Sequence, residues 1–324
     1  MTLKKIVAAS VVLVAAMLTT GCASSVDSRE IVEPPAERMY CGQATIDLDY
    51  RPSTGRLVLT HGDKKYQMKH QSSASGARFV RIGDARSVFW SKGDTASLSL
   101  EGYDYPECRV GSALGSPFSA RGNEPFWRIA LVGNELTLSR LEEATETLVS
   151  RVAERNDKGQ TLRAGRDGLG LTMDVAPQLC VDSMSGMPYP NQVRLRLNDE
   201  VMTGCGGDPE RLLQGVEWVV DDIGGYGAFD ESQVTIAFLN DNRLVGQASC
   251  NRYTGSWTLT GEVLLLDLEA GTLMACDQAL VEQEQRFLEI MAEVNGFSIA
   301  PGDELILSTP SGKTLRAYPP SGKP

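Results

Sequence analysis

Histidine is scarce in this chain: of 324 residues only His61 and His70 carry an imidazole. Metal centres that need several imidazoles are excluded by that count alone. No two cysteines stand at CxxC spacing, which removes the common structural zinc patterns, and nothing else in the sequence calls for a cofactor. Cations are in deficit too, with 31 Lys and Arg against 42 Asp and Glu for a net charge of −11. A nucleic-acid partner is therefore not expected, because clustered cations that neutralise phosphate dominate such binding. The one long apolar run, Ile6 to Leu18, falls short of the ~20 residues that a membrane-spanning helix requires.

The charge that is present is unevenly spread. Residues 39–110 carry 10 basic and 8 acidic side chains, residues 119–213 carry 11 and 14, and residues 214–324 carry 6 and 16. The acidity belongs to the C-terminal third, where a solvated surface accounts for it without a ligand.

Lys4 and Lys5, the apolar run and the small residues before Cys22 have the layout of a secretory signal. Thr19-Thr20-Gly21-Cys22 resembles the lipobox of bacterial lipoproteins. That resemblance implies removal of residues 1–21, lipidation of Cys22 and a polar tether over 22–38. With Ala23 rather than Asp after the cysteine, it also implies a membrane partner through the lipid anchor, at the periplasmic face of the outer membrane.

Six cysteines remain: Cys41, Cys108, Cys180, Cys205, Cys250 and Cys276. An even number in an exported chain argues for disulfides, and six cysteines allow 15 connectivities. Nearest-neighbour pairing would put one bridge in each third. The thirds read as modules: 39–110, a linker at 111–118 around Gly-Ser-Ala-Leu-Gly-Ser-Pro, 119–213, and 214–320. The expected class is mainly β with minor α, as three small β-rich modules.

In the first module, short alternating runs such as Ala44 to Tyr50, Leu57 to Thr60 and Ala96 to Leu100 are punctuated by Gly, Asp and Ser clusters. This spacing predicts a small antiparallel barrel. Tyr40-Cys41-Gly42, Tyr66-Gln67-Met68, Ser75-Gly76-Ala77-Arg78-Phe79, Phe89-Trp90-Ser91-Lys92-Gly93-Asp94-Thr95-Ala96 and Cys108 together resemble the MliC family, membrane-bound inhibitors of c-type lysozyme. The resemblance covers about 70 residues and implies c-type lysozyme as partner. It implies contact through the loop Ser75, Gly76, Ala77, Arg78 and Phe79, and through Lys92, with Ser75 and Lys92 entering the lysozyme cleft. Phe79 stands where the family usually has Tyr. By period two, Lys92 shares a strand face with Trp90.

The middle module opens with Gly122-Asn123-Glu124-Pro125-Phe126-Trp127 and the run Arg128 to Val132. Residues 141–154 fit either an amphipathic helix or a strand from Thr147, and periodicity alone leaves both open. Cys180 to Pro190 and Thr203 to Gly207 resemble an uncharacterised envelope domain. Asp182, Ser183 and Asp208 read as turn and capping residues, since no histidine is present here to act as a base.

In the third module, strand-like runs surround a helical spacing of Leu280, Phe287, Leu288 and Met291 within 279–294, which predicts one helix against a sheet. Ser249 to Trp257, Thr272 to Cys276 and Glu284 to Leu288 resemble the META domain of the HslJ family, implying a role in envelope stress tolerance. Asn251, Arg252 and Tyr253 suit either a binding surface or a buried polar turn. An enzyme is not expected, because no nucleophile, metal or glycosidase constellation accompanies the carboxylates. The leading expectation is thus a lipid-anchored inhibitor of c-type lysozyme. The alternative is a stress-tolerance lipoprotein whose META and middle modules bind an envelope partner.

Overall fold

The computed structural model describes residues 38–229 and 233–320. All of them lie in one compact unit, Glu33–Pro324. The signal sequence, Cys22 and all but the last residue of the tether fall outside the described residues.

The first module is built from β1 (Arg38–Cys41), β2 (Ala44–Arg51), β3 (Arg56–His61), β4 (Lys64–Gln71), β5 (Ala77–Arg81), β6 (Asp84–Lys92), β7 (Thr95–Leu100), β8 (Tyr103–Asp104) and β9 (Cys108–Val110). Alternation drives it: β2 reads buried at Ala44, Ile46 and Leu48 and exposed at Thr45, Asp47 and Asp49. Pairing runs β6-β5-β4-β3-β2-β1-β9-β7, and β6 bonds back to β7, closing an eight-stranded up-and-down barrel. Met39, Ile46, Leu57, Leu59, Met68, Phe79 and Phe89 fill it. Cys41 and Cys108 lie directly opposite on β1 and β9 and are bonded, tying the first strand to the last.

The middle module comprises β10 (Phe118–Asn123), β11 (Phe126–Val132), β12 (Glu135–Arg140), β13 (Glu146–Asn156), β14 (Gly159–Arg166), β15 (Leu169–Ala176), the short pair β16 (Cys180–Val181) and β17 (Pro188–Tyr189), β18 (Asn191–Leu197) and β19 (Glu200–Gly206). It is a second closed barrel with the same consecutive strand order, β19 returning to β10. The stretch that fitted helix or strand is strand β13, because Leu148 and Ser150 must point inwards between neighbours on both sides. Trp127 is fully buried, and Gly122 and Gly204 leave room for its indole: a Cβ at either would lie 2.2 or 2.8 Å from the ring. Cys180 pairs with Cys205.

The 111–118 linker is not a loose hinge. Ser112 and Ala113 are buried, Ser112 Oγ donates to the Asn156 carbonyl at 2.6 Å, and Leu114 packs against the second barrel's core.

A 3-10 turn (Pro209–Leu212), capped by Asp208 through the Glu210 N–H, leads into the third module. Its strands are β20 (Glu217–Ile223), β21 (Thr235–Phe238), β22 (Arg243–Gln247), β23 (Arg252–Leu259), β24 (Leu264–Gly271), β25 (Gly296–Ala300), β26 (Glu304–Ser308) and β27 (Thr314–Tyr318). They form a sheet ordered β24-β23-β22-β21-β20-β27-β26-β25. One helix, α1 (Gln278–Glu293), lays Phe287, Ile290 and Met291 against it, one residue from the expected limits. Cys250 pairs with Cys276, completing one bridge per module.

The third module docks back on the first. Gln43 N–H bonds the Gln214 carbonyl at 2.9 Å, and the Arg211 guanidinium donates to the carbonyls of Glu107 (2.8 Å) and Tyr40 (3.1 Å). Burial and the neighbouring Arg109 push the Arg211 pKa down to about 10, still fully cationic at neutral pH.

Replacing Cys41 and Cys108 together by Ser is expected to destabilise the first barrel by about 4 kcal/mol, the loop-closure entropy for a 67-residue separation. Urea unfolding followed through the first module's tryptophan, Trp90, measures this; an unchanged midpoint would show the barrel closes without the bridge.

Candidate protein-binding surface on the first barrel

Two chain segments converge at one end of the first barrel. The β4–β5 loop carries Ser73 to Gly76, and β6 ends at Lys92. In the β5–β6 ladder Ala77 pairs with Ser91 and Arg78 with Trp90, so the loop residue preceding Ala77 falls beside Lys92. Gly76 sits there with φ +69°, and an added Cβ would lie 2.1 Å from the Ser91 carbonyl oxygen and 2.8 Å from Lys92 Cγ. Glycine is required twice over, for the backbone angle and for the close approach.

The loop is also held from within. Trp90 Nε1 donates to the Ser75 carbonyl at 2.8 Å, and Ser73 Oγ donates to the carbonyls of Ser75 (3.1 Å) and Gly76 (3.0 Å). Lys92 Nζ lies 4.4 Å from the centroid of the same Trp90 ring. One indole thus positions both segments, through its N–H and its face. Ser75 and Lys92 are exposed. Among the described residues no carboxylate forms an ion pair with Lys92. The nearest acid in sequence, Asp94, is engaged by Arg155 of the second barrel at 2.6 Å. Lys92 therefore presents an uncompensated positive charge on the same indole that holds the serine-bearing loop.

Of the six residues expected to touch a partner, Ser75, Gly76 and Lys92 are exposed and Arg78 is half-buried beside Trp90. Ala77 and Phe79 are corrections: Ala77 is buried and Phe79 is fully enclosed, because β5 alternates and turns these two inwards. Phe79 meets Tyr50 and His70 edge-on at 5.5 and 5.7 Å. Trp90 shares its strand face with Lys92, as period two requires, and also holds the loop through its N–H, a contact that no local pattern announces.

Elsewhere the polar candidates are structural. Asp182 accepts from the Met184 and Ser185 N–H groups and the Ser185 hydroxyl. Burial opposes its charge, but these donors and Arg121 hold its pKa below the usual carboxylate range. In the third module Asn251 is a buried hub. Its Oδ1 accepts from Thr272 Oγ1 (2.9 Å) and the Met274 N–H (2.8 Å), while Glu284 accepts from its Nδ2 (2.9 Å) and its backbone N–H (2.8 Å). Tyr253 is buried with its hydroxyl on the Thr235 carbonyl, leaving only Arg252 exposed.

The first barrel thus offers an exposed serine, an ammonium and an indole at one end. Residues 40–106 match the family model described as membrane-bound lysozyme-inhibitor of c-type lysozyme, MliC, and residues 211–321 match the META domain. The chain thus carries an MliC domain at its start and a META domain at its end, with a middle module that neither match covers. No curated protein matches it. A solved structure, an NMR structure of a protein from Burkholderia xenovorans, aligns over 34% of this chain and 86% of its own, at 22% identity and a TM-score of 0.30.

Trp90→Phe should release the loop, costing about 1 kcal/mol for the lost hydrogen bond. Amide hydrogen exchange at Gly76 and Ala77 is the measurement, and unchanged protection would show that the indole does not hold the loop. Asn251→Ala should lower the third module's stability by about 1–3 kcal/mol, since it strands groups buried around it. A thermal transition of that module unmoved by the change would show that the Asn251 hydrogen bonds contribute nothing to its stability.

Proposed function

We propose that the protein is a lipid-anchored periplasmic inhibitor of c-type lysozyme that acts by occupying the enzyme's cleft with Ser75 and Lys92. The observation carrying this reading is the Trp90 staple, in which one indole holds the Ser75 carbonyl through its N–H and carries the Lys92 ammonium over its face, with both residues exposed. The MliC match over the same residues supports c-type lysozyme as the partner and the cell envelope as the location.

The chemistry is complementary without any reaction. Lysozyme works with two carboxyl groups, one kept protonated as general acid and one ionised. A serine hydroxyl can accept from or donate to the first, and the Lys92 ammonium pairs with the second. Because the loop is already ordered, little conformational entropy is lost on docking. The sugar is excluded by occupancy.

The META match favours a second role in envelope stress, carried by the third module, while Ser75 and Lys92 of the first barrel stay exposed.

Inhibition of a c-type lysozyme by the full chain tests the proposal, with half-inhibition expected at or below micromolar concentration. Lys92→Ala should weaken inhibition at least tenfold, because it leaves a desolvated carboxylate unpaired. Ser75→Ala should weaken it several-fold. Absence of inhibition by the wild-type chain would overturn the reading; inhibition indifferent to both substitutions would overturn the assigned contact.

A further inference from the structure

The second barrel carries a row of arginines that its own fold does not use. Across β13, β14, β15, β18 and β19 the ladder aligns Arg151 with Arg163, Arg163 with Thr172, Thr172 with Arg196, and Arg196 with Val201. Arg151, Arg163 and Arg196 are all exposed and so share the outer face. At ~4.8 Å per strand, the first two are direct neighbours and the third stands two strands further on. Like charges directly opposite on a sheet repel. Among the described residues no carboxylate pairs with any of the three. Of the neighbouring acids, Glu146 is held by Arg166, Glu200 by Arg140, and Asp174 accepts from Thr161.

Beside the arginines runs a groove of about 570 Å³. The same register places Gly165 opposite Gly170, next to Val149 on one side and Asn198 on the other. The two glycines leave this floor without side chains. A Cβ on Gly165 would lie 2.7 Å from the Leu169 carbonyl, whereas Gly170 has its N–H held by Asn198 Oδ1 at 2.9 Å. The groove therefore has a cationic wall of guanidinium forks and a floor of backbone and amide groups.

We infer that this groove is a binding site for an anionic glycan, with Arg151, Arg163 and Arg196 on its acid groups and the glycine floor and Asn198 on its hydroxyls. Planar guanidinium groups suit carboxylate, sulfate and phosphate oxygens, which they bind in pairs. The groove is an open trough, which admits a chain rather than enclosing an ion. No aromatic ring lines it, so the stacking platform that single-stranded nucleic acid uses is missing. The backbone groups of Gly165 and Gly170 and the Asn198 amide offer hydrogen-bonding partners to a polyhydroxylated ligand, between Val149 and Leu171 as apolar neighbours. The site is independent of the surface on the first barrel.

The test uses the full chain and four probes: heparin, polygalacturonate, single-stranded oligonucleotide and phosphatidylglycerol vesicles. Calorimetry or a competition assay should show binding to at least one acidic glycan, weakened at least 30-fold in R151Q/R163Q/R196Q. A control with the same net charge, R56Q/R128Q/R243Q, should bind within threefold of wild type. R163K keeps the charge without the fork and should fall several-fold, which also reads the site should the triple variant fail to fold. No glycan binding, equal loss in the control, or tighter binding of the oligonucleotide or the vesicles than of either glycan would each overturn the proposal.

Discussion

The proposed contact end of the first barrel depends on one close approach, the seat of Gly76 against the Ser91 carbonyl. Only a residue without a Cβ can take φ +69° at that distance, and the approach sets Gly76 against the Lys92 side chain. The Trp90 indole then closes the arrangement from outside, with its N–H on the Ser75 carbonyl and its face towards the lysine. Both depend in turn on the β5–β6 register, since a slip of one residue would send Trp90 and Lys92 into the core and Phe89 and Ser91 into solvent.

The modules are joined by contacts that also shape this end. Arg155 of the second barrel reaches Asp94, two residues past Lys92, so the carboxylate nearest in sequence to the ammonium has its own partner. Ser112 ties the connecting segment to the same hairpin at Asn156. Arg211 spans backbone carbonyls of β1 and of the residue before β9, close to the Cys41–Cys108 bridge. A surface ion pair contributes little to stability. Its effect here is electrostatic and local, on the charge that the turn presents.

Much of this was legible along the chain. The alternation of Ala44 to Tyr50, the cysteine spacing and the helical stripe of Phe287 and Met291 are local patterns, and the structure follows them within a residue or two. The motif Ser75 to Phe79 located the loop but not its directions: Ala77 and Phe79 turn inwards because β5 is a strand with a filled barrel behind it. Residues 141–154 fitted either period, since Leu148 and Val152 satisfy a helical one, and pairing with β12 and then β14 made the part from Glu146 onward strand while 141–145 form the turn before it. The hub role of Asn251 was equally hidden, because its partners Thr272, Met274 and Glu284 lie more than twenty residues away.

By itself the amino-acid sequence determined the β class, the three-module order, one cysteine pair per module and the residue types of the β4–β5 loop, all properties of short-range pattern and composition. Tertiary structure alone decided that the middle module is a second barrel, that Arg151, Arg163 and Arg196 stand in one row, and that the Ser75 carbonyl and the Lys92 ammonium share the Trp90 indole. Each of these is a matter of strand register, which is set by hydrogen bonds between segments distant in the chain and by which face a closed barrel must bury.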